Sequence, residues 1–508
     1  MGDILIFLLL NGDDNIIQRL KRANDIIIKY IMKDNKVCPV LRWNSPKELE
    51  NIFDLQCKFF FKHFYFLYIQ IPHDPCNEEE LFDIIQKTLD LTVRTSHPRF
   101  LNQMFGGFDT YGHVGQWTTD ALNTSNYTYE MASLFVLMEE KVMKKLSKMI
   151  GWNYGEGDGI MSAGGSMANF YGVQCARQHL FPDVKEEGMY GTKPMAIFTS
   201  EDSHYSFMKA ANLMGFGTNS VFKVKVNDIG QMDVGNLRKN VVTALDKGFQ
   251  PLIVVSTAGT TVLGAFDDIE QISDIANEFG MWHHVDAAWG GSVLFTETHK
   301  RLLQGIDRVD SVTLDIHKML GAPLQCSWFL TRKKDILTQC NSMRASYLFQ
   351  PDKCYDTSLD TGDKSLQCSR KVDIFKFWLS WRAKGSSGVE KHVNTLFEKT
   401  NYFVNKIKSR PQEFELILEN PQLTNVCFYF IPPSLRKADK NSQNYKHSLS
   451  KVAPKIKERM LKQGTMMIGY QSIRGLPNFF RLVLSNSGTS EEDLDFFLDE
   501  ISRLGKDL

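Results

Sequence analysis

The sequence predicts an α/β fold: a mainly parallel central sheet with helices on both faces, followed by a smaller C-terminal α+β domain. Three observations predict it. Short apolar runs recur at 195–199, 221–226, 252–256, 282–285 and 312–316. Stretches that read as helices, 204–214, 234–246 and 267–279, separate the first four of these runs, which is the spacing of βα units. At 508 residues, 43% hydrophobic and 23% charged, the chain is long enough for more than one unit and apolar enough for a large core.

In chain order, residues 1–100 read as a mostly helical segment without a chemical motif, expected to serve dimerisation. The large domain is expected over 101–385 and the small one over 386–508. The opening apolar run from Ile4 to Leu10 is short and follows Asp3 with no basic flank, so it does not read as a signal peptide. The aromatic stretch from Phe59 to Ile71 is interrupted by Lys62 and His63 and is too short to span a bilayer. The glycine-rich stretch Gly164-Gly165-Ser166-Met167-Ala168-Asn169 precedes a helical pattern over 170–179. Gly280 is placed to stop the helix over 267–279. Right-handed connections put ligands at the carboxyl ends of the strands, so Thr257, Asp286 and Lys318 should share one side of the sheet. Residues 373–408 read as long helices with Trp378 and Trp381 on an apolar face. Beyond about 410 the strand candidates are 425–431 and 479–484, helices precede and follow the second, and 436–446 reads as a polar surface loop.

Composition narrows the function classes. With 59 basic and 59 acidic residues the net charge is zero, so no global field favours nucleic acid or an anionic membrane. The nine cysteines form no CxxC pair, which favours reduced thiols in the cytoplasm. No metal is expected.

The chemistry concentrates at the strand ends. Asp286 ends the run Met281-Trp282-His283-His284-Val285, and Lys318 follows the run that ends at Ile316. An acid and a lysine at neighbouring strand ends suit pyridoxal phosphate: the lysine amine forms a Schiff base with its aldehyde, and the acid keeps its ring nitrogen protonated. Each residue also has a plainer reading, Asp286 as a strand-end cap and Lys318 as a solvated side chain. Gly165 and Ser166 offer helix-start amides to a phosphate, or simply punctuate a turn. His204 could stack on the cofactor ring, or begin a helix beside the capping Ser203.

With these residues in view, the chain resembles the group II pyridoxal-phosphate-dependent decarboxylases, in the branch that acts on glutamate, cysteine sulfinate or aspartate. The resemblance runs from about His97 to the C-terminus. It is carried by His97-Pro98-Arg99-Phe100, Asn102-Gln103, Asn123-Thr124, Tyr127-Thr128-Tyr129-Glu130, Gly157-Asp158-Gly159, Ala258-Gly259-Thr260-Thr261, His284-Val285-Asp286-Ala287-Ala288-Trp289-Gly290-Gly291, Tyr347-Leu348-Phe349-Gln350 and Asp360-Thr361-Gly362-Asp363-Lys364. It implies a fold type I enzyme working as a homodimer, with active sites between subunits. It assigns Lys318 the covalent link to the cofactor, Asp286 the salt bridge to the pyridine nitrogen, His204 the ring stack, and the amides around Gly165 and Ser166 the phosphate. Thr257, Ala288 and His317 complete the implied cofactor set. Tyr347 matches a mobile-loop tyrosine that protonates the substrate carbon after carbon dioxide leaves, and Gln103 and Arg481 match residues that hold substrate carboxylates.

The resemblance favours cysteine sulfinate or aspartate, giving hypotaurine or β-alanine. Phe105 stands where glutamate decarboxylases generally carry a small hydroxyl residue, and a ring there shortens the pocket by about the one methylene that separates these acids from glutamate. Glutamate to γ-aminobutyrate is the first alternative; Glu201-Asp202-Ser203-His204, Ala258-Gly259-Thr260-Thr261 and Val372-Asp373-Ile374-Phe375-Lys376 look more like that branch. A catalytically silent homologue retained as a binding partner, and another pyridoxal phosphate reaction such as transamination, are the remaining alternatives. Two positions depart from the family pattern. Asp315 begins Asp315-Ile316-His317-Lys318 where the family usually reads Asn-Pro-His-Lys, and an acid there would repel the phosphate. Ser133 replaces a usual proline, a local effect at a helix start.

Overall fold

A computed structural model describes residues 2–35, 37–53, 57–58, 67–68, 75–153 and 157–508. The aromatic stretch from Phe59 to Ile71 lies outside the described residues except for Leu67 and Tyr68. Ile4 to Leu10 falls within the helix Gly2–Met32. Among the described residues no helix is long and apolar enough to cross a membrane.

The central sheet has seven strands: β1 (Asp158–Ser162), β2 (Met195–Ser200), β3 (Val221–Val224), β4 (Gln250–Thr257), β5 (Trp282–Asp286), β6 (Ser311–Asp315) and β7 (Ser327–Thr331). Their order across the sheet is β1-β7-β6-β5-β4-β2-β3. The run from β3 to β6 is parallel, and every residue of β2, β5 and β6 is buried. Strands covered on both faces read as continuous apolar runs, which is why these were legible. The helices Val234–Asp246 and Ile269–Glu278 fall where the sequence puts them, and the helix expected over 204–214 is Ser206–Leu213.

Strands β1 and β7 lie beyond the predicted set. β7 runs antiparallel to both β1 and β6. It follows β6 with no intervening helix, so the alternation that exposes the other strands stops before it. The β6–β7 connection carries Lys318.

The smaller sheet comprises β8 (Phe414–Leu416), β9 (Asn425–Phe430), β10 (Met467–Gln471) and β11 (Phe479–Val483), in the order β8-β9-β11-β10, with the short strand Phe100–Leu101 beside β10. Residues near 100 are thereby tied to the C-terminal sheet. The helices Gln443–Gln463 and Glu491–Gly505 pack on it. The loop expected over 436–446 is shorter than predicted: Ser442 Oγ accepts from the Tyr445 amide at 3.2 Å and starts a helix there. The long helix Ile374–Lys408 breaks at Gly385, whose φ of 67° a glycine adopts without strain.

Candidate active site

The carboxyl ends of β4, β5 and β6 and the start of the helix Gly165–Leu180 surround a cavity of about 200 Å³. Its wall includes Gly165, Ser166, His204, Thr257, Asp286, Ala288 and Lys318, all expected at the site, together with Met104, Asn169, Thr261, Trp289 and Asp315. A larger groove of about 880 Å³ lies on the small domain, lined by residues such as Leu435, Val452 and Pro454. The smaller cavity is the chemical one, because the titratable groups converge there.

Asp286 is 5% exposed at the end of β5. Its Oδ2 accepts from Asn169 Nδ2 at 2.8 Å, and its Oδ1 accepts from the Ala288 amide at 3.1 Å. A buried carboxylate needs such partners. Asn169 Nδ2 also donates to Ser206 Oγ at 2.9 Å, and Asn169 Oδ1 lies 3.1 Å from His284 Nε2. Asn169 is the functional residue that sequence reasoning passed over. It stands one helical turn beyond Gly165, on the face that Gly165 presents to the cavity.

His204 Nδ1 lies 2.9 Å from Ser206 Oγ, which fixes the ring's rotation. Burial pushes the imidazole below its ordinary pKa, with the charge of Asp286 pulling the other way. Lys318 Nζ pairs with Asp315 Oδ2 at 3.1 Å, and Asp315 is 2% exposed.

Not every expected residue is gathered here. His317 turns away: its Nδ1 sits 3.0 Å from the Cys326 carbonyl, and it does not line the cavity. Gln103 is exposed and Phe105 packs toward Phe100, their ring centroids 6.4 Å apart; only Met104 between them reaches the wall. Arg481, on β11, donates from Nη1 to the carbonyl of the lining residue Thr261 at 2.8 Å. It is one residue removed from the cavity and has no carboxylate partner within salt-bridge distance among the described residues. Tyr347 is 78% exposed and lines a different depression with Gln174, Cys340 and Asp363.

The residues present fit pyridoxal phosphate. Thr257 Oγ1 is buried in the wall without a hydrogen-bond partner. The helix Gly165–Leu180 begins at Gly164 with no side-chain cap and no acid in its first turn, so an anion at its N-terminus would share it with the carboxylate of Asp315, which lies against Gly165. Asp286 faces the cavity already oriented by two donors.

Comparison with known proteins agrees. The family model of the pyridoxal-dependent decarboxylase conserved domain matches residues 66–431. The cysteine sulfinic acid decarboxylase of Mus musculus is 44% identical over 506 residues, covering 98% of each chain. The crystal structure of mouse CSAD superposes with a TM-score of 0.91 at 42% identity, covering 97% of this chain and 99% of that one. Oryza sativa TDC, solved with pyridoxal phosphate and tryptamine, shares the fold at a TM-score of 0.84 and 21% identity, covering 97% of this chain and 98% of that one.

Proposed function

The chain belongs to the pyridoxal-dependent decarboxylase family, and from that premise we propose that it decarboxylates cysteine sulfinate or aspartate, with the cavity at Lys318 and Asp286 as its active site. The observation that carries the assignment of the site is the convergence of Lys318, Asp286, His204 and the Gly165 helix start on one cavity. The acid is inferred from the similarity to a cysteine sulfinic acid decarboxylase; Phe105, which packs toward Phe100 and does not line the cavity, does not itself shorten it.

Pyridoxal phosphate, when bound, supplies an aldehyde for an amine and a ring that accepts the electrons left as carbon dioxide departs. The chain's own residues do the rest. Lys318 Nζ would be the attachment point, and the same amine would displace the product by taking back the link to the aldehyde carbon. Asp286 holds a proton at the ring nitrogen, and Asn169 with the Ala288 amide keep its carboxylate in one plane. His204 offers a flat face that burial keeps uncharged near neutral pH. Gly165, Ser166 and Thr257 hold the phosphate. Arg481 and Gln103 lie outside the cavity wall but remain the residues proposed for substrate carboxylates, and His317, turned toward the Cys326 carbonyl, supports the lysine loop.

Tyr347 is proposed as the proton donor to the substrate carbon. Its exposure and its place in a different depression of its own chain support a homodimer in which this loop enters the partner's site. The first 100 residues are proposed to serve that association. The division into 101–385 and 386–508 remains a proposal, since the helix beyond Gly385 still packs Val389, Val393 and Leu396 into the large-domain core; a cytoplasmic location is supported by the eight free cysteines among the described residues.

The test is carbon dioxide release from the purified chain supplied with pyridoxal phosphate and, in turn, cysteine sulfinate, aspartate and glutamate. The expected result is faster release from one of the two shorter acids than from glutamate, by about 10–200-fold, the worth of one methylene in a fitted pocket. A glutamate preference overturns the substrate assignment. No release from any acid overturns the decarboxylase reading, and a Lys318→Ala variant should release none.

A further inference from the structure

We propose that Asp315 is a resident anion in the phosphate seat, so that this chain holds pyridoxal phosphate conditionally rather than as a permanent fixture. The inference rests on the cofactor assignment above. Asp315 ends β6 and is 2% exposed. A Cβ placed on Gly165 would meet its Oδ2 at 2.6 Å and its Oδ1 at 2.9 Å, so the carboxylate lies directly against the first residue of the helix Gly165–Leu180. That helix start is positively polarised and has neither a side-chain cap nor an acid in its first turn. Asp315 therefore provides the negative charge that a cofactor phosphate would otherwise provide. One of its oxygens pairs with Lys318 Nζ at 3.1 Å; the other is buried with no hydrogen-bond partner.

Three consequences act in the same direction. An incoming phosphate meets a like charge in a wall with little water, where repulsion is weakly screened. The helix start gains less from the phosphate, because a carboxylate already lies against Gly165. Lys318 Nζ must leave Asp315 before it can attach the cofactor. An asparagine of the same shape would remove the repulsion and add a donor, so Asp315 lowers the affinity of this site for the phosphate.

The experiment compares the full chain with its Asp315→Asn variant, both stripped of cofactor and checked for equal thermal unfolding. Equilibrium dialysis and the absorbance of the attached cofactor report affinity for pyridoxal phosphate and, separately, for pyridoxal, which lacks the phosphate. The expected result is that Asp315→Asn binds pyridoxal phosphate at least about tenfold more tightly and loses it more slowly, with a smaller change for pyridoxal. Inorganic phosphate should also compete better against pyridoxal phosphate in the variant. Equal affinities in the two proteins overturn the proposal while leaving the cofactor assignment intact. An equal gain for both ligands also overturns it, since the effect then lies at Lys318 and not in the phosphate seat. Binding by neither protein overturns the proposal and the cofactor assignment together. If Asp315→Asn unfolds, Asp315→Ser gives the same comparison with a smaller neutral side chain.

Discussion

Asp286 has each of its two oxygens claimed by one donor, Asn169 and the Ala288 amide, before any ligand arrives. A carboxylate preset in this way costs nothing to orient when it meets a ring nitrogen. Asn169→Ala removes one charge-assisted hydrogen bond and leaves Asp286 under-satisfied, at about 1–3 kcal/mol. Pyridoxal phosphate affinity, measured by equilibrium dialysis, should fall by about 10–100-fold, and the thermal midpoint of the apo chain should fall as well, because Ser206 and His284 lose a partner together with Asp286. An unchanged affinity would mean that the Ala288 amide alone fixes the carboxylate. At this scale the strand-end rule reads well from sequence: Thr257, Asp286, Ala288 and Lys318 all reach the cavity because each ends or follows a buried parallel strand. Asn169 was hidden because a polar residue one turn into a helix is ordinary unless its facing partner is known. Gln103, Phe105, His317 and Tyr347 lie in loops, and a loop motif does not encode which way its side chains turn.

Elements are held by a few buried polar contacts as well as by apolar packing. Glu139, inside the helix Tyr129–Ile150, accepts from Arg370 Nη1 at 2.9 Å and from the Met161 amide of β1 at 2.8 Å, and Asn126 donates to its other oxygen. The pair is nearly sealed from water, with side chains 6% and 4% exposed. Glu139→Ala strands a buried guanidinium and should cost about 3–5 kcal/mol in denaturant unfolding. Glu139→Gln, which keeps the acceptor for Met161, should cost less. A cost within 0.5 kcal/mol for the alanine variant would show that water replaces the carboxylate, of order the change at an ordinary surface site. Near the start of the same helix, Ala132 has a non-helical backbone, φ −141° and ψ 42°, which is not the extended ψ a following proline favours; nothing in the structure explains Ser133. The long buried strands and their helices were legible from apolar runs and spacing. The strands β8 and β10 were not, since β8 is three residues long and β10 is only partly buried; with neither length nor a continuous apolar run they leave no pattern to read.

Across the whole molecule, adjacent residues of β5 join the layers on opposite faces of the sheet, as strand alternation requires. His283 bonds to Ser256 at 2.7 Å and to Ser273 of the helix Ile269–Glu278 at 2.9 Å, whereas His284 bonds to Ser311 and to Asn169 of the helix Gly165–Leu180. Burial pushes both imidazoles down to about 3. A folded pKa below the unfolded value means that the unfolded chain binds more protons between the two, so this contribution to stability is fully present above about 6.5 and is lost as pH falls toward 3. Each histidine adds up to about 1.4 kcal/mol per pH unit within that window. His283→Gln, which can still donate to one serine and accept from the other, should flatten the slope of unfolding free energy against pH by about one proton; an unchanged slope would place the acid sensitivity elsewhere. The strand order has one more consequence, for assembly. The Lys318 side of the cavity is built from β4, β5 and β6, which are neighbours in sequence and in the sheet. Its Gly165 side follows β1, whose place in the sheet is beside β7, from the far side of the domain's sequence. Closing that distant pairing is the slow, entropically expensive part of building such a sheet. A ligand touching both Gly165 and Lys318 would therefore tie together parts of the sheet that lie far apart in sequence.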